Sequence, residues 1–571
     1  MTNPDIAAVF EQVADLLEFQ GANPFRVRAY RNAARTIHDL GESAAEIVRD
    51  PHRDLTEFEG IGKDLAEKIA TLVETGSLPM RDELLAEIPE SVLDILRVPG
   101  LGPKKAAVLF KELEITNLDE LRDACEAHRV RNLSGFGAKS EAAILQGLDI
   151  ASEAGKRMRW ADADKHIQSI LSYLKASPAV KKITAAGSYR RGKDTVGDLD
   201  FVAVADNVEK AMDALAHYGG LAQIIARGDT KMSIRLTDGM QVDLRLVPEE
   251  SYGAALQYFT GSKDHSIVLR GRAKDRGLKI NEYGVFRGEK SIAGRTEEEV
   301  YAAMDLPLIP PELREARREF EWADAGELPD LIEAGDIRGD LHMHSTWTDG
   351  TVSIEEMAQA AKRRGLKYIA MTDHSQRVAM VNGLDPERLR AQWREIDELN
   401  ERLEGITVLK GVEVDILERG GLDLPDDVLA EADWIVASLH YGHNQPREQI
   451  TRRAIEALEN PYVCVLGHPT GRMLLSRKPY EIDLDAVMKA AVENGKFLEL
   501  NAHPKRLDLD DVACAAAKHR GVPIVISTDA HRPEGLDMIR YGILQARRGG
   551  LTKNDVVNTR TWPQIKKLLG R

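Results

Sequence analysis

Two groups of residues in this chain have the types and spacing for metal-dependent phosphate chemistry. The first is Gly187-Ser188-Tyr189-Arg190-Arg191-Gly192, followed by Gly197-Asp198-Leu199-Asp200. Asp198 and Asp200 lie two apart in a strand-like run, so their side chains share one face. Asp243, in QVDLRLV, supplies a third carboxylate from what reads as an adjacent strand. Three carboxylates on one sheet face repel each other unless they hold divalent metal. Two hard cations there could activate an attacking hydroxyl and clamp a polyphosphate. Gly187-Ser188 adds a turn with backbone donors, and Arg191 a cation that can neutralise phosphate charge. A lone Asp-x-Asp is common in surface turns; the GSYRRG segment before it and the later Asp243 are what that reading leaves unexplained.

The second group is richer in nitrogen. Nine of the 15 histidines fall within residues 339–571. His342 and His344 end DLHMH on one strand face, and Asp349 follows in a turn. Then come His374, Glu413 in GVEVD, His440 in SLHY, His468 in GHP, and Asp529-x-His531. These positions sit at the C-terminal ends of apolar runs. Nitrogen and oxygen donors without thiolates suit manganese, zinc or iron. Asp340, Asn501 and His503 flank the same runs and read as supporting residues, whereas His443 and His519 read as exposed.

A third signal repeats along residues 1–150. EGIGKDLAEKI, PGLGPKKAAVLF and SGFGAKSEAAIL each place two glycines before a helix: Gly60 and Gly62, Gly100 and Gly102, Gly135 and Gly137. The glycines permit a tight turn and expose backbone N–H groups at a helix start, a seat for phosphate that reads no bases. The spacing also places Ile61, Leu65 and Ile69 on one helical face, with Lys68 beside it. Lys68 reads equally as a solvated lysine or as an amine that forms a Schiff base with an abasic sugar.

The elements that must carry these residues follow from pattern and length. At 571 residues, several domains are expected. Short amphipathic helices with glycine punctuation fill 1–150. Short β-like runs begin near 180. Prolines 307, 310, 311 and 329 mark a boundary, and from 339 apolar strands alternate with helices as in a parallel α/β barrel. The expected divisions are 1–80, 81–150, 151–250, 251–315, a linker at 316–338, and 339–571. The net charge of −16, with residues 1–150 themselves at −10, excludes a broad basic footprint. Local backbone contacts to phosphate, or metal bridging, remain open. Three scattered cysteines exclude a disulfide scaffold or thiolate zinc finger and fit a reducing cytoplasm. No apolar run approaches a membrane span, and the N-terminus lacks the pattern of a secretory signal.

The central motifs resemble the nucleotidyltransferase core of family X DNA polymerases, the polymerase beta family, over about residues 1–315. Tyr258-Phe259-Thr260-Gly261-Ser262 is similar to that family's sugar-facing motif, and Lys279-Ile280-Asn281-Glu282-Tyr283 to its thumb motif. The resemblance implies a helical lyase-like region (1–80), fingers-like hairpins (81–150), palm (151–250) and thumb (251–315). Asp198, Asp200 and Asp243 would be ligands of Mg²⁺ or Mn²⁺. Gly187, Ser188, Arg191 and Gly197 would meet the incoming triphosphate, Tyr258, Phe259 and Gly261 its sugar, and Arg270 the template strand. Lys68 matches the lyase lysine, but Asp64 replaces a second lysine, so weak lyase activity is expected. Ser266 replaces an asparagine, so looser nucleotide selection is expected.

Residues 339–571 resemble the polymerase-and-histidinol-phosphatase (PHP) domain, a seven-stranded (β/α) barrel. That implies His342, His344, Asp349, His374, Glu413, His440, His468, Asp529 and His531 as ligands of three ions, Mn²⁺ or Zn²⁺. Asp349 stands where many relatives have histidine and favours manganese, and Glu413 would bridge. The fused order resembles bacterial family X polymerases. It implies short-gap filling in base excision repair, with 3′–5′ exonuclease and, beyond it, 3′-end cleaning or abasic-site cleavage. Gapped or primed DNA and deoxynucleoside triphosphates would be the partners of a cytoplasmic monomer. Two rivals are a small-molecule phosphatase of the histidinol-phosphatase type, which leaves hairpins and palm unexplained, and a DNA-end-binding scaffold with a dead polymerase, against which the intact aspartates speak.

Overall fold

The computed structural model describes residues 3–40, 43–58, 60–89, 91–95, 98, 101, 103–154 and 157–570. They form two compact units, Met1–Arg157 and Met158–Arg571.

The first unit is helical throughout its described residues. Asn23 caps the Pro24–Asp39 helix by accepting from the Phe25 N–H, and Pro24 sits where no helical hydrogen bond is lost. Phe10, Leu16, Tyr30, Ile37 and Ile69 are at most 1% exposed and share one core with Leu109, Leu121 and Ile144. The expected division at 80 therefore falls inside a continuous core. The helix after the first hairpin runs Lys63–Thr75, with Gly62 at its cap. Ile61 lies before it, buried in the turn, because the glycine turn must finish before helical hydrogen bonding starts with Leu65 N–H to Gly62 O. The helix's buried stripe is Leu65, Ile69 and Leu72, not Ile61, Leu65 and Ile69.

The second unit opens with β1 (Met158–Arg159), β2 (Val180–Ala185), β3 (Thr195–Val196), β4 (Asp198–Ala205), β5 (Leu221–Arg227), β6 (Lys231–Leu236) and β7 (Gln241–Leu246). Five of these make one mixed sheet in the order β2-β4-β7-β6-β5, in which only β4 and β7 run parallel. Leu199 and Phe201 of β4 enter the core under the helix Trp160–Lys175, so Asp198 and Asp200 fall on the opposite face. A three-stranded meander of β8 (Lys279–Asn281), β9 (Gly284–Arg287) and β10 (Lys290–Ala293) follows, packed with helices Tyr252–Thr260 and Lys263–Asp275.

The C-terminal sheet is all-parallel and strictly sequential: β11 (Gly339–Asp340), β12 (Tyr368–Met371), β13 (Thr407–Asp415), β14 (Trp434–Ser438), β15 (Val465–Leu466), β16 (Phe497–Asn501) and β17 (Ile524–Ser527). A parallel bridge from Met343 to Ala530 joins the first edge to the last, so the seven strands close as a (β/α)7 barrel. Both faces are buried, which is why these strands read as near-continuous apolar runs. The segment expected as a linker, 316–338, is packed: it contains the helix Glu319–Ala325, and Ile332 belongs to the barrel's core. Its one proline, Pro329, lies in the stretch after the helix Glu319–Ala325. No helix among the described residues is long and apolar enough to cross a membrane.

Candidate active sites

The parallel pairing of β4 and β7 puts Asp200 directly opposite Asp243. With a side-chain period of two, Asp198, Asp200 and Asp243 then share one face. Burial, Asp198 and Asp243 raise the Asp200 carboxyl to about 7, against the opposing pull of Lys231 and Arg191. Asp243 is meanwhile drawn to Lys231 at 3.0 Å and accepts from Gln241 at 3.2 Å. Gly187 opens the turn above Asp200 at φ +61°. A Cβ there would lie 2.2 Å from Asp200 Oδ2, so no other residue fits without displacing a carboxylate. Gly187, Ser188 and Arg190 form one short helical turn, and Gly197 is exposed just before β4.

The arginines of this turn are already paired. Arg190 grips Glu297 with two bonds of 2.8 and 2.6 Å and donates to Thr260 Oγ1. Arg191 donates from Nε to Glu315 at 2.9 Å and from Nη1 to the Thr260 carbonyl at 2.8 Å. Tyr258 and Phe259 lie edge to face, 5.1 Å apart, with the Arg245 guanidinium 5.0 Å over Phe259. Gly261 ends their helix, where a Cβ would press on His265. Arg270 is exposed and donates to Ser266 O.

The barrel brings all nine histidine-group residues together. Glu413, 1% exposed, is the hub. His374 Nδ1 is 2.8 Å from its carboxylate, His468 Nε2 3.1 Å, His440 Nε2 3.3 Å, His342 Nε2 3.5 Å and His344 Nε2 3.7 Å. Asp529 reaches His344 at 3.2 Å, and Asp349 reaches His531 at 3.2 Å and His374 at 3.6 Å. Three subsets have ligand atoms within 4.8 Å of one another: His344-Asp349-His374-His531, His342-His344-Asp529 and His374-Glu413-His440. His342 Nε2, both nitrogens of His344 and His374 Nδ1 are buried yet make no aligned hydrogen bond, even where a carboxylate is close. Buried polar atoms left this way are costly unless a cation completes them, so the donor set fits divalent metal. His468 and Asp529 hold left-handed φ values of +25° and +54°, strain of the kind that rigid sites retain.

Supporting contacts orient the ring nitrogens. His342 Nδ1 meets Glu499 at 2.7 Å, His440 Nδ1 meets Asp415 at 3.1 Å, and Asn501 donates to Asp529 at 3.1 Å. Asp340 is fully buried and accepts from the Thr528 N–H at 3.2 Å. Sequence reading missed Glu499 and Asp415. Both show as charges inside apolar runs, KFLELN and GVEVD, a signal that was available. His443, expected to be exposed, is half-buried: it stacks on Tyr480 and bonds Leu439 O, while His519 is exposed.

In the first unit, Gly60 and Gly135 turn with φ of +91° and +84°, each two residues before the glycine that precedes a helix, Gly62 and Gly137. Gly100 and Gly102 lie outside the described residues. A cleft of about 760 Å³ is lined by Phe58, Gly60, Gly62, Lys63 and Asp64. Lys68 is not on its wall; its amine is bound to Asp64 one turn earlier and lies 5.9 Å from the Tyr30 ring centre.

Comparison with known proteins follows the same order along the chain. Residues 1–78 match the helix-hairpin-helix domain, 92–149 the SAM-like helix-hairpin-helix tandem, 255–315 the DNA polymerase beta thumb and 340–503 the PHP domain. A DNA polymerase/3′-5′ exonuclease PolX of Bacillus subtilis (strain 168) is 42% identical over an alignment of 576 positions covering 100% of both chains. Probable phosphatases of Thermoanaerobacter sp. (strain X514) and Acetivibrio thermocellus are each 33% identical, over 38% and 34% of this chain and 89% and 78% of their own. The relationship to the Bacillus protein runs from end to end, and the protein belongs to the family X DNA polymerases that carry a C-terminal PHP domain.

Proposed function

We propose that the chain is a DNA-directed DNA polymerase that fills short gaps during base excision repair, with a 3′–5′ exonuclease in its barrel. The observation that carries this reading is the presence in one chain of three aspartates on one palm sheet face and a histidine-carboxylate cluster in the barrel, beside its full-length likeness to a protein named for both activities. Bound Mg²⁺ or Mn²⁺ at the palm would supply charge neutralisation for nucleotidyl transfer, and up to three Mn²⁺ or Zn²⁺ ions in the barrel the same for hydrolysis.

In this reading Asp198, Asp200 and Asp243 hold the palm metals, and Asp200 must lose its raised proton affinity to do so. Gly187, Ser188 and Gly197 offer backbone or hydroxyl donors to the triphosphate, and Arg191 its guanidinium. Tyr258, Phe259 and Gly261 form the sugar wall, and Arg270 approaches the template. The glycine turns at 60/62, 100/102 and 135/137 hold DNA phosphates through backbone N–H groups. In the barrel, His342, His344, Asp349, His374, Glu413, His440, His468, Asp529 and His531 would hold the metal ions, with Glu413 at their centre. Glu499, Asp415 and Asn501 fix tautomers and ring directions. Lys68 is tied to Asp64 rather than free for attack, so this reading includes at most weak lyase activity.

A second reading is favoured by the probable phosphatases that match the barrel: removal of a 3′-phosphate rather than a nucleotide. The test is a one-nucleotide-gapped duplex incubated with Mg²⁺ and dNTPs, beside a recessed 3′-hydroxyl or 3′-phosphate end incubated with Mn²⁺. Gap filling plus stepwise shortening of the 3′-hydroxyl strand is expected. No extension on any primed substrate would overturn the polymerase reading, and action on the 3′-phosphate alone would replace the exonuclease.

A further inference from the structure

The palm turn that carries Arg191 is held by the barrel domain. The helix Ile539–Arg548 presents Arg540, Tyr541, Leu544 and Arg548 towards residues 189–194. Arg540 bonds Asp164 at 2.9 Å, and Asp164 also accepts from the Tyr189 hydroxyl at 2.6 Å. Tyr541 meets the edge of Trp160, which stacks on Tyr189. Leu544 sits where a Cβ on Gly192 would be, 2.5 Å from its Cγ, so the turn approaches the barrel helix as closely as a glycine permits.

The last residue of that face is the informative one. Arg548, with a side chain 1% exposed, donates from Nη1 to Glu315 at 3.0 Å and to the carbonyl of Arg191 itself at 2.7 Å. Its Nη2 reaches Asp511 at 2.6 Å, and Arg317 meets the same Asp511 oxygen at 3.0 Å. Glu315 Oε1 is thus shared by Arg191 and Arg548, with Lys193 3.9 Å away. Burial alone would raise the Glu315 carboxyl; Arg548 first, then Arg191, Lys193 and Arg317 bring it to about 2 instead.

We propose that Arg548 and Glu315 are positioning residues for the polymerase reaction, and that the barrel domain thereby forms part of the nucleotide site. This rests on the reading of Arg191 as a triphosphate contact. Glu315 and the Thr260 carbonyl fix the guanidinium plane of Arg191 through Nε and Nη1, leaving its Nη2 side with no protein acceptor among the described residues. Glu315 alone would compete with phosphate for that charge. Arg548 bonds the same carboxylate oxygen and neutralises it, so the orienting bond is kept while the positive charge stays available. Arg191, Lys193, Arg317 and Arg548 surround Glu315 and Asp511, so neither carboxylate faces the turn unopposed. Without Arg548, Glu315 would hold Arg191 more tightly, and the turn would lose its bond at the Arg191 carbonyl.

The test is steady-state gap filling on a one-nucleotide gap with Mg²⁺ and varied dTTP, using the full chain. Arg548→Met and Glu315→Gln should each raise KM for dTTP at least about fivefold with kcat nearly unchanged, and Arg548→Lys should recover part of the loss. In an Arg191→Ala background, Arg548→Met should add nothing. Arg547→Met, which removes the barrel's bond to Glu312 at 2.7 Å without touching this network, should leave KM as in the wild type. An unchanged KM in both Arg548→Met and Glu315→Gln would overturn the proposal, as would equal effects of Arg547→Met and Arg548→Met, or full additivity with Arg191→Ala. If Arg191→Ala itself leaves KM unchanged, the triphosphate reading fails and the positioning role with it. Should Arg548→Met not fold, Glu315→Gln, which keeps side-chain size, decides alone.

Discussion

Glu413 sets the protonation of the histidines around it. Burial disfavours an imidazolium, yet Glu413 and Asp349 together push His374 up to about 10, and Glu413 and Asp415 together push His440 to about 9. His344, buried with His374 and His531 beside it, falls to about 3. A histidine must be neutral to ligate, so metal entering this cluster near neutral pH has to expel protons from His374 and His440. Titrating metal-free protein with Mn²⁺ in buffers of different ionisation enthalpy should show release of at least about one proton per chain. Metal uptake with heats independent of buffer would contradict that protonation pattern. At this scale much was legible: DLHMH, TDH, GHP and DAH each end an apolar run, and a strand end is where such barrels place chemistry. Glu499 shows in KFLELN only as a charge inside an apolar run; that it meets His342, 157 residues earlier, is set by the closed barrel and by nothing local.

The strand–turn–strand element around Asp200 makes the palm site possible. Asp198-x-Asp200 is readable from the strand period alone, but that β7 runs parallel to β4 and sets Asp243 opposite Asp200 is a property of the sheet. The turn is equally constrained. Gly187→Ala places a Cβ 2.2 Å from Asp200 Oδ2 at a left-handed φ, so the carboxylate or the turn must move. Displacements near 1 Å in reacting groups cost on the order of a hundredfold, so gap filling should fall by about that or more while exonuclease persists. Near-wild-type extension by Gly187→Ala would show that the turn is not so constrained. Local pattern misled at one place here: Ile61 has the right spacing for the helical stripe, but the glycine turn delays the helix to Lys63.

Across the molecule, the contacts hardest to foresee are those between palm and barrel. Arg548 lies in the last turn of one helix and Asp511 in the first turn of another, and nothing in the local sequence marks either. Only folding brings Arg548 to Arg191, 357 residues earlier. The segment 316–338 reads as a linker for the same reason: the prolines before it and Pro329 within it report local chain direction, not what packs on it. The buried network also has a pH signature. Glu315 is held at about 2, below its ordinary 4.5, so its contribution to stability is full above 4.5 and is lost as pH falls towards 2. The melting-temperature gap between wild type and Glu315→Gln should be steady at neutral pH and narrow below 4.5; a gap independent of pH would mean that Glu315 is not ionised in the fold. Two metal-dependent sites on one chain should be separable by mutation. The most direct test compares wild type, Asp243→Ala and Glu413→Ala on one gapped duplex, with extension, 3′-end degradation and bound metal measured together. Asp243→Ala should abolish extension and keep degradation; Glu413→Ala should lose bound metal and degradation and keep extension. Loss of both activities in either variant, with the fold intact, would contradict two separate sites.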